Sequence, residues 1–201
     1  DADVQKYLDG SDPLNFPNTD WQALTLKKYA PQAQHNLSLN GGNEKMQYFA
    51  SLGYLDQGSL YKFDTKWLKR YNYRLHVTGY FEEIGLKTTI GLYGVNEINR
   101  DVLSAYAPSQ NFNVWGHIQN RAPNQLAYSD LEQTRYANGG DHPIVEIDPR
   151  SGYVRSEGRD INGLLELDWA IPGVKGLSLR ANGNLRQSQS FGKNWNVTAP
   201  Q

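Results

Sequence analysis

The side chains of this chain that could do chemistry are four histidines, a few close carboxylates and a cluster of aromatic residues. The histidines, His35, His76, His117 and His142, are scattered, and no cysteine accompanies them. His76 stands between Arg74 and Thr78 on a polar strand face, where it is expected to be a plain polar-face residue rather than a proton switch. Glu166 and Asp168 stand two apart and share one strand face. Paired carboxylates can do acid–base work, but the expected role here is ion pairing with Arg180 on the neighbouring strand. Asp141-His142 and Glu146-Ile147-Asp148 match no metal-ligand spacing and read as acidic loop. Gly91–Gly94 and Gly139-Gly140 lack the lysine and the strand-to-helix setting of a phosphate loop. No nucleophile is paired with a base. The expectation is therefore no enzyme, no cofactor and no metal.

The best functional candidates sit in one long segment, residues 97–160, which lacks alternation. Connections beyond ~15 residues usually bind something or act as lids. This one carries Tyr106, Phe112, Trp115, His117, Tyr128, Tyr136 and Tyr153. Aromatic faces can stack on sugar rings, and tyrosine adds a hydroxyl. The same residues could instead pack the loop onto itself or onto a partner.

Bulk properties narrow the class. Lysine plus arginine number 20 and aspartate plus glutamate 21, a net charge of -1 that offers no basic footprint for nucleic acid. The absence of cysteine excludes a disulfide framework. No apolar run reaches the ~20 residues of a spanning helix, and Asp1-Ala2-Asp3 is not the basic start of a signal peptide. A mean hydropathy of -0.69 suggests a soluble chain. That inference is unsafe, because spanning β-strands alternate apolar and polar and give a weak signal.

Stepping along the chain, residues 1–34 read as irregular with short helices. Thr19 and Gln22 sit at capping-box spacing before a helix expected over Trp21–Tyr29, which Pro31 would stop. From about residue 35 the period is two. Leu37 and Leu39 alternate with Asn36 and Ser38, and Asn40-Gly41-Gly42-Asn43 makes a turn. Residues 45–55 return. Tyr71, Tyr73, Leu75, Val77, Gly79 and Phe81 alternate with Asn72, Arg74, His76, Thr78, Tyr80 and Glu82. Residues 86–96, 161–171 and 177–186 repeat the pattern, the last two joined by Pro172-Gly173. Ser129 and Glu132 predict a short helix over Leu131–Ala137.

About six strands result, spread over 35–191, with long connections at 56–70 and 97–160 and the start of another loop at 192–201. Connections alternate short, long, short, long, short. In an antiparallel meander all the long ones then lie at one end, as in an outer-membrane barrel. Strands of ~10 residues also suit a bilayer better than the ~5–6 of soluble sheets. The fold class expected is all-β, an antiparallel membrane β-barrel segment. Arg74, His76, Glu82, Glu166, Asp168, Arg180 and Arg186, together with Lys87, would line its lumen. A soluble β-sandwich that binds carbohydrate, with the same residues facing bulk water, stays open, as does a passive porin.

One stretch carries more. Asp20-Trp21, Lys28-Tyr29-Ala30-Pro31-Gln32, Gln34 through Gly42, Glu44-Lys45 and Tyr48 through Gly58 occur in order, followed by Lys69-Arg70-Tyr71-Asn72. This run closely resembles the SusC/RagA family of TonB-linked outer-membrane proteins of Bacteroidetes. The resemblance covers roughly a fifth of the chain. It implies a plugged barrel of about 22 strands in the outer membrane of a Gram-negative bacterium, importing oligosaccharides or peptides. It also implies a SusD-like surface lipoprotein as partner and energy delivered through TonB. The family's plug domain and TonB box have no counterpart here, so the chain is expected to be part of a longer polypeptide.

Overall fold

A computed structural model of the chain describes residues 2–103, 114–137 and 142–197. Six strands form one antiparallel sheet in sequence order: β1 (Gln32–Gly42), β2 (Met46–Gly58), β3 (Trp67–Phe81), β4 (Leu86–Val102), β5 (Gly152–Ala170) and β6 (Ser178–Asn196). Every neighbouring pair keeps one register along its full length. No residue is skipped, so the two-residue alternation of faces survives from end to end. A single sheet with both faces bare overturns the sandwich expectation, since a sandwich needs a second sheet against the apolar face. The architecture is a segment of β-barrel wall.

The register assembles the apolar positions into rows. One row runs Leu39, Ala50, Leu75, Leu92, Gly163 and Leu185 across all six strands; the next on that face runs Gly41, Tyr48, Val77, Ile90, Leu165 and Gly183. Between them lies Asn40, Phe49, His76, Gly91, Leu164 and Asn184 on the opposite face. The apolar rows are exposed: Leu39 61%, Ile90 57% and Leu185 76%. So large an exposed patch marks a membrane or partner surface. No helix among the described residues is long and apolar enough to cross a membrane; strands of 11 to 19 residues are long enough to do so.

The strands run further than the alternation of residue types suggested. The long connections shrink to 59–66 and 103–151, the barrel region widens to 32–196, and residues 192–196 belong to β6 rather than to a loop. Toward the long-loop end polar residues (Asn96, Arg100, Arg155, Gln187) interrupt the outward face among Ile98, Phe191 and Trp195, yet the backbone ladder continues. Glu82 also departs from expectation. β3 stops at Phe81, and Glu82 opens a 3-10 turn, Glu82–Ile84, closed by Gly85 at φ 64. That left-handed conformation favours glycine, so Glu82 leaves the strand face.

The α-helices among the described residues are α1 (Ala2–Asp9), α2 (Trp21–Thr25), α3 (Val114–Asn120) and α4 (Pro143–Ile147), the last three packed together. α2 is shorter than expected and differently capped. Asp20, not Thr19, accepts from the Ala23 N–H at 2.8 Å, while the Thr19 hydroxyl donates to the Gln125 carbonyl. After Thr25 the chain turns extended, because Lys27 N–H donates to Leu60 O and Lys62 N–H to Thr25 O. The helix expected over Leu131–Ala137 is absent. Asp130 instead accepts from the backbone N–H of both Thr134 and Arg135, closing a loop in which Tyr128 and Tyr136 pair. A side chain that offers the backbone such bonds competes with a helix.

Candidate functional site

Two regions hold the chemistry: the polar face of the sheet, and a compact cap over its long-loop end. On the polar face one row reads Ser38, Ser51, Arg74, Tyr93, Asn162 and Arg186. Arg74 lies over the Tyr93 ring at 5.9 Å. Arg186 reaches Asp160 at 3.2 Å. Asp168 pairs directly with Arg180, the partnership expected from their spacing. Glu166 stands between Thr89 and Asn182. His76 faces Phe49 on one side and Gly91 on the other. Charges of both signs are thus spread over one wettable surface, directly behind the apolar one.

The cap is built from the segments before β1, between β2 and β3, and between β4 and β5. Its core contains Trp21, Tyr61, Val114, Ile118, Ala127, Ile144 and Ile147, all buried. Trp21 donates from its indole to the Ala122 carbonyl at 3.0 Å. The Thr65 hydroxyl donates to Ile147 O at 3.1 Å, tying the β2–β3 connection to α4. His117 and Glu146, both buried, meet at 2.7 Å across α3 and α4. His142 has its Nε2 2.9 Å from the Ala127 carbonyl, and burial holds its imidazole below the ordinary histidine range. Asp148 is pulled upward by burial. It nevertheless sits below the usual carboxylate range because Arg150 donates to it from side chain and backbone and Tyr136 adds its hydroxyl. Burial also pushes the Tyr61 and Tyr136 hydroxyls up to about 12.

This geometry sorts the loop aromatics. His117 is 8% exposed and belongs to the core, not to a ligand platform. Tyr128 and Tyr136 stack on each other at 5.6 Å between centroids and line the cap interior. Trp115 is 39% exposed and faces outward from α3. Tyr153 lies at the start of β5, packed edge-on against Trp195 at 5.7 Å. Tyr106 and Phe112 lie outside the described residues. A cleft of about 370 Å³ opens beside the cap, lined among others by Pro17, Asp20, Leu24, Tyr128 and Leu131. Sequence reasoning missed the residues that build the cap, Trp21, Thr65 and Ile147. The clustered apolar run of Ile144, Val145 and Ile147 was the available signal. Among the described residues no group of three or more histidine or acidic side chains could hold a metal.

Comparison with known proteins agrees with the geometry. The chain is 33% identical over 87 residues to the TonB-dependent receptor SusC of Bacteroides thetaiotaomicron, a match covering 43% of this chain and 8% of that protein. Its fold matches the RagAB peptide importer in the closed-closed state with a TM-score of 0.63 at 21% identity, over 96% of this chain and 23% of that one. The open-open state gives 0.61 at 23% identity, over 92% and 21%. No family profile matches the chain. The chain therefore spans less than a quarter of the length of these relatives. It is SusC/RagA-like in sequence and carries the fold of that barrel's wall.

Proposed function

We infer that the chain forms part of the wall and extracellular cap of a TonB-dependent outer-membrane importer of oligosaccharides or peptides. One observation carries this reading: a continuous exposed apolar face is backed, residue by residue, by a polar face bearing both charges, and both long connections lie at one end. A membrane supplies lipid to the first face and a wet lumen to the second. Arg74, His76, Glu166, Asp168, Arg180 and Arg186 then line the channel, where they replace part of a passing solute's hydration. Trp115 on α3 and Tyr128 at the cleft are, among the described residues, loop aromatics open to a ligand. The cap, with its own buried core, forms a lip on which a SusD-like lipoprotein can seat. The plug and TonB contact belong to the rest of such a protein, and their movement would release substrate inward.

The test is fractionation of the full-length native protein, followed by detergent extraction and identification of what purifies with it. Recovery from the outer membrane with a surface lipoprotein supports the reading. Recovery as a lone soluble protein overturns it.

A further inference from the structure

Toward the long-loop end, between the rows Ile98–Glu157–Phe191 and Val102–Tyr153–Trp195, the outward face carries an unusual row. Arg100, Arg155 and Lys193 are direct cross-strand partners on β4, β5 and β6. They share the face of Ile90, Leu92 and Leu165, because the register has no break. Like charges placed directly opposite each other destabilise a sheet. Several cations elsewhere in the wall have ion-pair partners: Arg180 with Asp168, Arg186 with Asp160, Arg70 with Glu97, Lys69 with Asp56. In this row none of the three has an ion-pair partner among the described residues. Glu157, the carboxylate on that face of β5, is turned to Arg159 at 3.6 Å. The neighbouring row supplies aromatic surface instead. Arg100 lies over the Tyr153 ring at 4.3 Å, and Tyr153 packs against Trp195, which is 54% exposed.

We propose that the outward row Arg100–Arg155–Lys193, with Tyr153 and Trp195, binds the phosphorylated sugar headgroup of a glycolipid in the surrounding outer leaflet. The inference rests on the importer reading, which sets this face toward lipid. Charge calls for an anion, and the rings beside the row say which kind. Phe191 lies one row below on the same face and Tyr153 and Trp195 one row above, so the cations sit inside an aromatic border. A headgroup of several sugars carrying phosphate offers both anions and flat faces. Its anions meet the three cations, and its sugar faces meet the flat sides of tyrosine and tryptophan.

The experiment uses full-length protein recovered from the outer membrane, with rough-type lipopolysaccharide as probe in native and dephosphorylated form, and phosphatidylglycerol as a short-headgroup control. Wild-type protein should hold the phosphorylated glycolipid at least about tenfold more tightly than either alternative. The triple variant R100Q/R155Q/K193Q should lose that preference. The variant R100K/R155K keeps the charge and should retain most of it, which separates lost binding from lost folding. A preference that survives in the triple variant, or is absent from the wild type, overturns the proposal. So does full competition by free inorganic phosphate, which would assign the row to a soluble anion. Failure to recover the protein from the outer membrane would sink the importer reading as well; recovery without the preference sinks this inference alone.

Discussion

The Tyr136 hydroxyl donates to Asp148 at 2.9 Å, and that bond joins the paired loop at Tyr128 and Tyr136 to the end of α4. Asp148 also accepts from Arg150 at 2.6 Å. Its carboxyl is thereby held below its ordinary value. A carboxylate depressed in the folded state contributes stability above the unfolded pKa of ~3.9 and loses it as pH falls through the folded value. Limited proteolysis of the cap in the full-length protein should therefore be flat down to about pH 4 and rise below it. In Arg150→Leu cutting should already be faster at neutral pH and its rise below about pH 4 smaller, because less of the carboxylate's stabilisation is left to lose.

His142 sets a second, separate window. Burial lowers its pKa, so the unfolded cap takes up a proton first. The stability this contributes is complete above the unfolded value of ~6.5 and is lost as pH falls from there toward the folded value. Hydrogen exchange at Ala127 and Ile144 should accelerate as pH is lowered below about 6.5, after correction for intrinsic rates. His142→Gln should remove that dependence while leaving the acid step of Asp148 in place.

Trp21 is the anchor of the cap, 3% exposed and hydrogen-bonded through its indole. Trp21→Ala should cost the cap about 3–5 kcal/mol, the usual penalty for emptying a large aromatic site. Protease cutting between Ile118 and Arg135 would report it. Outer-membrane assembly should survive, since the strands do not depend on that core. Loss of assembly would show that the cap is needed to build the wall.

The two faces of the sheet should respond oppositely to charge. Leu92→Arg on the apolar face should cost about 2–4 kcal/mol at mid-membrane depth. Asn184→Arg on the polar face should cost little. Urea unfolding of the full-length protein in detergent or lipid distinguishes them, and equal sensitivity would refute the assignment of faces.

Gly85 closes the β3–β4 turn at φ 64, with the Ala170 carbonyl beside the position a Cβ would take. Gly85→Ala should lose about 1–3 kcal/mol, from left-handed strain and that contact together. The same unfolding assay measures it.

Much of the wall was legible in the sequence because a surface set between lipid and water must alternate. The segment Tyr71 to Phe81 shows this plainly, and Asn40-Gly41-Gly42-Asn43 and Pro172-Gly173 mark turns by backbone chemistry. The strand ends were not legible. Past the membrane the outward positions need not be apolar, so Asn96, Arg159 and Gln187 break the alternation while the hydrogen bonds run on. The cap was opaque for another reason. α3 and α4 have 7 and 5 residues, too few for a periodic pattern. His117 resembles a ligand-contact residue until its burial against Glu146 is seen. Asp168 with Arg180 was readable, because two strands joined by a short turn fix their own register.

The rows of paired residues do not run level with the apolar band. Tyr71 on β3 leads to Asn96, Arg159 and Gln189, so a row that starts apolar ends polar; Phe81 leads to Leu86, Trp169 and Leu179 and stays apolar throughout. The band slides toward the short turns as strands are added, like the thread of a screw. Such a pitch is what a closed barrel requires, since tilt and stagger are linked. It also makes the chain intolerant of insertions within a strand. One extra residue would displace every step of the thread downstream of it, and set Leu, Ile and Trp toward water in the same stroke that turned Arg and Asp toward lipid.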